Sequence, residues 1–280
     1  MQRIAHPPRF LYKYVSENGI DLLRNSRIKV TPPKEFNDPF ELLPSIIEPP
    51  SPKEVSEYYK NEEVQRTIYN EYGSGITRSP DFDDWRNICK DENFASDIPD
   101  AIAREFKNGT EYGQKIKEQI SSQFGMVSLS ETYDNLLMWS HYATSHRGFV
   151  VEINSEDLIW SRDFELLFAT YSSERKPLKL RNWECTKVYP NKIVRFICRK
   201  SECWAYEKEW RAIFFLSRTR KKGGKFYLDI PTGVITKVIG GIQIRPDLES
   251  ELRSVCSEYD IPFQRMIIHQ SEYRLILPSE

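Results

Sequence analysis

No run of apolar residues in this 280-residue chain is long enough to cross a bilayer. The opening Met1-Gln-Arg-Ile-Ala-His-Pro-Pro8 has no apolar core of the kind a secretory leader needs. An excess of one charge is missing too. Lys+Arg number 40 against 41 Asp+Glu, a net of −1, which excludes a whole-molecule field drawing in nucleic acid or membrane. Cysteine is sparse: Cys89, Cys185, Cys198, Cys203 and Cys256 are odd in number, scattered and without CxxC spacing. Neither a disulfide framework nor a zinc site is expected, and reduced thiols in the cytoplasm are the expectation. Phosphate-cradling glycine loops are absent, since Gly223-Gly224 and Gly240-Gly241 fit neither the GxGxxG nor the GxxxxGK pattern. There is no HExxH and no GxSxG elbow.

What is present is ordinary for a globular chain: 39% hydrophobic and 29% charged residues, at a length that buries one large core or two small ones. Strands are expected at Leu11–Val15, Ser26–Val30, Met126–Ser130, Gly148–Ile153, Leu166–Ser172, Glu184–Tyr189, Ile235–Gly240, Phe263–His269 and Tyr273–Leu277. Helices are expected at Gly19–Arg24, Tyr133–Ser145, Lys192–Arg199 and Asp247–Glu258. Glu207–Leu216 and Lys225–Ile230 should pair as a hairpin across the basic turn Arg218–Lys222 with Gly223-Gly224. From Pro49 to Phe124 the composition turns charged and helical, with breaks at Gly73, Pro80 and Pro99. The fold class is therefore α+β: a single domain with a mixed, mostly antiparallel sheet core and an inserted helical segment at about 49–124.

Chemistry concentrates in Trp204-Ala-Tyr-Glu-Lys-Glu-Trp-Arg211. Read as a strand, it projects Glu207, Glu209 and Arg211 from one face, beside the apolar Ala212–Leu216. Two carboxylates and a guanidinium there are costly to bury unless they pair or bind a ligand. They suit either a solvated strand face with a cross-paired Arg, or a pair of acids serving one cationic or hydroxylated centre, such as an oxocarbenium-like state. A magnesium pair lacks supporting acids.

Three other clusters accompany it. Tyr12-Lys13-Tyr14 places two rings on one strand face and a cation on the other. Phe36-Asn37-Asp38-Pro39-Phe40-Glu41 is an Asx-type turn that would also suit a ligand-gripping loop. Ser128-Leu-Ser130 precedes a helix on which Asn135, Trp139, Tyr142 and His146 share a polar-aromatic face. His141 and His146 are misplaced on that helix for a two-histidine metal site, so no metal is expected.

In order, these stretches resemble the DUF2971 family, a bacterial group of largely uncharacterised function. The matching segments are Leu11–Tyr14, Phe36–Glu41, Ser128–Glu131, Leu137–Tyr142 with His146–Phe149, Trp204–Arg211 and Val238–Gly241. A looser resemblance is to mono-ADP-ribosyltransferases. These carry an early-strand Arg or His, a Ser-Thr-Ser strand and a late Glu-x-Glu. Here Lys13 beside Tyr12 stands for the first, Ser128-Leu129-Ser130 for the second and Glu207-Lys-Glu209 for the third.

That resemblance implies NAD, consumed as a substrate. Glu209 would contact the nicotinamide-ribose hydroxyls and steady the oxocarbenium ion, and Glu207 would orient or deprotonate an acceptor. Ser128 and Ser130 would support the pocket, and Trp139, Tyr142 or Tyr12 would stack on nicotinamide. Lys13, Asn37, Asp38 and Arg211 join the binding set, and His141 joins the catalytic one. The expectation is an ADP-ribosyltransferase or NAD glycohydrolase, as a bacterial toxin or phage-defence effector. Its acceptor would be protein or nucleic acid, with no membrane attachment. The alternatives are a non-catalytic module binding a nucleotide or partner protein, and a metal-dependent nuclease or phosphodiesterase using Asp38, Glu41, His141 and Glu209.

Overall fold

The computed structural model describes residues 6–43, 45, 47–48, 51–77, 81–91, 93, 97, 109–158, 164–175, 177–179, 197–231 and 233–278. In chain order the strands are β1 (Phe10–Val15), β2 (Arg27–Val30), β3 (Ile47–Glu48), β4 (Phe124–Ser130), β5 (Phe149–Asn154), β6 (Phe164–Phe168), β7 (Thr170–Ser172), β8 (Leu178–Lys179), β9 (Arg199–Ser201), β10 (Glu209–Phe215), β11 (Arg220–Lys222), β12 (Lys225–Asp229), β13 (Ile235–Gly240), β14 (Phe263–Arg265), β15 (Ile267–Ile268) and β16 (Leu275–Ile276). The helices are α1 (Asp21–Arg24), α2 (Pro52–Tyr59), α3 (Glu62–Thr77), α4 (Phe82–Ile88), α5 (Gly109–Gln123), α6 (Leu136–Tyr142), α7 (Ser155–Leu158) and α8 (Pro246–Glu258). None is long and apolar enough to cross a membrane.

The chain forms two compact units. The first comprises residues 1–41, 117–173 and 197–280 and is built on a seven-stranded sheet ordered β14-β13-β5-β1-β4-β10-β6. Every pairing in that sheet is antiparallel except β13 with β14. The α+β class with a mixed, mostly antiparallel sheet is thus the observed one.

Strand alternation sorts the side chains into two layers. Leu11, Val127, Leu129, Phe149, Val151, Ile153, Trp210, Ala212 and Phe214 share one core with Leu22 and Leu23 of α1 and with Leu248, Leu252 and Val255 of α8. Tyr14, Val150 and Ile239 face the other way and pack with Met138 and Trp139 of α6. On β4 and β10 that second face carries Ser128, Ser130, Glu209 and Arg211, so the polar residues gather under α6.

The second unit comprises residues 42–116 and 174–196. Its core joins Val55, Tyr59, Trp85 and Cys89. Ser51 and Glu54 make a reciprocal capping box that starts α2, and β3 pairs in parallel with β8.

Several sequence expectations are corrected here. Helix α6 is shorter than Tyr133–Ser145: Asn135 caps its start through Leu137 N and Met138 N, and it closes at Tyr142. Thr144, Ser145 and His146 then adopt φ of 50°, 51° and 65°, which a right-handed helix cannot contain. His146 is therefore off the helix, although its ring stacks on Trp139 at 6.4 Å and 9°. The expected hairpin has a different partner. The turn at Gly223-Gly224 joins β11 to β12, and β12 pairs onward with β2, whereas β10 lies between β4 and β6. Gly73 does not break α3, because one helical glycine costs only about 1 kcal/mol. The extended segment expected at Glu184–Tyr189 and most of the Lys192–Arg199 helix lie outside the described residues. Cys89, Cys198, Cys203 and Cys256 are free thiols.

Candidate active site

Three strands set the site in register. Tyr12 on β1 is directly opposite Ser130 on β4, and Ser130 is directly opposite Glu209 on β10. Two residue pairs further along, on the same face, Arg211 is opposite Ser128. A cavity of about 360 Å³ opens over this row. Its wall includes Tyr12, Lys13, Asn37, Ser128, Ser130, His141, Tyr142, Glu207, Glu209 and Arg211. Asn37 and His141 are exposed at its mouth, whereas Ser130, Glu207, Glu209 and Arg211 are buried at its floor.

Glu207 does not reach the floor by strand alternation. It ends a 3₁₀ turn, Glu202–Glu207, and Lys208 follows at φ 44°, ψ 53° before β10 begins. That left-handed residue turns the chain so that both acids meet one cation, Lys200 of β9. The Lys200 ammonium donates to Glu207 and, at 3.1 Å, to Glu209 Oε2. It also sits over the Trp204 ring at 5.1 Å. Arg211 donates through Nη2 to Glu209 Oε2 at 2.9 Å and to Glu41, and through Nη1 to the Ile197 carbonyl. Tyr142 donates to Glu207 Oε1 at 2.6 Å. Ser130 Oγ donates to the Glu207 carbonyl at 2.7 Å and accepts from Thr132 N, which ties the 3₁₀ turn to β4.

Both oxygens of Glu207 are thus engaged. Glu209 differs: Oε2 takes both cations, and no hydrogen bond to Oε1 occurs among the described residues. Tyr171 accepts the Glu209 backbone N–H at 2.8 Å and fixes the start of β10.

Lys13 is a correction to simple alternation, which would send it to the opposite face. β1 meets β4 at a single paired position, and Lys13 spans the space beyond it to donate to the Ser128 carbonyl at 3.1 Å. Burial lowers its ammonium to about 8, with Glu209 partly offsetting the shift. Burial raises the Glu207 carboxyl above its ordinary value, with Lys200 opposing and Glu209 adding to the rise. Burial alone would discharge Lys200, but Glu209 and Glu207 reverse that and hold it charged. Burial likewise pulls Arg211 down, with Asp38 opposing, and it remains cationic at neutral pH because guanidinium starts so high.

Two expected site residues are placed elsewhere. Trp139 is fully buried in the core, donating its indole N–H to the Tyr133 carbonyl at 2.7 Å, so it presents no face to the cavity. Asp38 forms the expected Asx turn with Phe40 N and lies buried outside the cavity wall, its Oδ2 without a hydrogen bond. The proposed nuclease set does not converge as ligands. Glu41 and Glu209 are bridged by Arg211 Nη2, which occupies the place a cation would take. Among the described residues no three His, Cys, Asp or Glu side chains form a metal-holding group.

Lys200 was missed from sequence, since Arg199-Lys-Ser201 carries no motif. Glu41 enters as a structural partner of Arg211.

Residues 138–212 match the model of the family DUF2971, described as a protein of unknown function. The resemblance to that family is therefore shown for this stretch, which includes Met138–Tyr142 of α6, His146, Lys200 and the Glu207–Arg211 segment. No curated protein and no solved structure matches the chain.

Proposed function

We propose that the cavity cleaves the nicotinamide–ribose bond of NAD, transferring ADP-ribose to an acceptor or to water. The observation that carries this reading is the state of Glu209. It is oriented through Oε2 by Lys200 and Arg211, and Oε1 remains for a ligand. A carboxylate held this way can accept from ribose hydroxyls and stabilise the cationic centre that develops as nicotinamide leaves. Orientation by two fixed cations removes the reorganisation that a mobile acid would need.

The neighbourhood supports the same chemistry. Glu41, Glu207 and Glu209 stand against Lys13, Lys200 and Arg211 in the cavity wall, and the fourth wall acid, Glu35, is paired with Lys29, so no net positive charge opposes a positively charged reacting group. Tyr12 and Tyr142 offer ring surface in the wall, and the cavity lies within the usual ~300–1,000 Å³ range of small-molecule sites, near its lower end. That size suits the nicotinamide riboside half of NAD, leaving the adenylate outside. In this reading Glu207, whose carboxyl is raised by burial, accepts the acceptor's proton. A toxin or defence role in the cytoplasm belongs to this proposal as its biological setting.

The test is incubation with NAD while following free nicotinamide, with the adenylate labelled to show whether it joins a protein, a nucleic acid or water. Release that requires Glu209 is the expected result. A second reading, a nucleotide-binding module without turnover, is favoured by the complete engagement of Glu207 with Lys200 and Tyr142. It predicts NAD binding with no nicotinamide released.

A further inference from the structure

We infer that the outer face of the small sheet β11-β12-β2 binds single-stranded nucleic acid through its phosphates. This does not depend on the NAD chemistry. Sheet order and register place Arg220 opposite Tyr227, and Tyr227 opposite Lys29. Alternation along these strands puts Arg27, Lys29, Arg220, Lys222 and Lys225 on one face with Tyr227 and a single acid, Asp229. The opposite face, with Ile28, Val30, Phe226 and Leu228, packs into the core, so the basic face is the one in solvent. Whole-chain charge is −1, which makes this a local concentration and not part of a general excess.

Part of that charge is neutralised within the protein: Arg27 by Asp21, Lys29 by Glu35 and Arg220 by Asp229. The pair at the hairpin tip is different. Lys222 and Lys225 are direct cross-strand partners, both exposed, and neither has an ion pair among the described residues. Asp21, the acid that feels Lys222, is already bonded to Arg27 and Asn25. Like charges facing each other across a hairpin destabilise it. Gly223 and Gly224, at φ 55° and 76°, make a two-residue turn that holds the pair in place. A polyanion laid across the tip relieves that repulsion.

Lysines act as point charges suited to phosphate contact without base reading. Tyr227 at the centre, with the Arg27 guanidinium 4.4 Å from its ring centroid, supplies the planar surface that unstacked bases use. The face carries no aliphatic side chain to insert into a lipid surface.

The experiment is fluorescence anisotropy of the full chain with a labelled single-stranded oligonucleotide over a salt series. Lys222 and Lys225 as phosphate contacts give a slope of log K against log salt of about −1.4, a loss of roughly 7-fold between about 50 and about 200 mM salt. The variant Lys222→Gln/Lys225→Gln, at exposed positions where folding is not at issue, should bring the slope to about zero. No oligonucleotide binding at low salt, or a slope unchanged in the double variant, overturns the inference. Binding to phosphatidylserine vesicles without binding to the oligonucleotide also overturns it, in favour of an anionic membrane.

Discussion

Replacing Lys200 with Met removes the one cation that, among the described residues, contacts both Glu207 and Glu209. The lysine and both carboxylates are buried, so solvent cannot take over the lost interaction. Breaking a buried pair by removing one partner costs about 3–5 kcal/mol, because the remaining charge is left without compensation. Arg211 still holds Glu209, which places the expected loss toward the lower end of that span. At this chain size such a loss lowers the midpoint of thermal unfolding by roughly 10 °C.

The penalty should also depend on pH. Glu207 is already raised by burial and opposed by Lys200, so removing Lys200 raises it further. A carboxyl raised on folding binds more protons in the folded state, and its contribution to stability falls as pH rises through the folded value. Acidification toward the ordinary 4.5 therefore relieves the variant. Calorimetric unfolding of wild type, Lys200→Met, Glu207→Gln and the double variant, across pH, measures both effects. A coupling of at least about 1 kcal/mol and a deficit that shrinks in acid are expected. A Lys200→Met deficit below about 1 kcal/mol that is flat with pH is the behaviour of an exposed pair and would refute the buried cluster.

Other perturbations follow the same geometry. Lys13 is lowered from 10.5 to about 8, so the unfolded chain binds more protons in that interval and wild-type stability should rise as pH climbs through it. Lys13→Met should abolish that rise, as read from denaturant midpoints. Tyr142→Phe removes a hydrogen bond to a carboxylate, costs about 1.5–3 kcal/mol, and should shift the Glu207-dependent limb of any pH–rate profile upward. A Cβ at position 148 would stand 2.1 Å from the Val15 carbonyl oxygen, so Gly148→Ala should lower stability by on the order of 3 kcal/mol in chemical denaturation.

Most of the sheet was legible because its strands alternate clearly. Phe149–Ile153 and Trp210–Phe214 announce their buried faces in sequence, and α8 declares itself by its apolar spacing. The Glu207–Arg211 segment was legible as chemistry because charged residues beside an apolar strand need an explanation. Its geometry was not legible. Glu207 reaches the floor through a left-handed Lys208, an adjustment that period-2 reading has no means to signal. Lys200 converges on the site from a three-residue strand whose partner, β7, is distant in sequence. The helical face that linked Trp139 to His146 misled for a physical reason. Three positive-φ residues end the helix, and Trp139 is consumed by the core while His146 returns to stack on it. Hairpin pairing at the basic turn failed similarly: Arg220–Lys222 looks like a loop by composition yet forms the strand that β12 needs.

The most direct measurement is the rate of nicotinamide release from NAD by the Glu209→Gln variant relative to wild type, with both confirmed folded by their unfolding midpoints. Gln keeps the shape and an acceptor oxygen but loses the charge that would steady the ribosyl cation. The account predicts measurable release by wild type and a fall of about 10²–10³ in the variant. Equal rates in the two proteins, or no release by wild type with any acceptor class supplied, would contradict it.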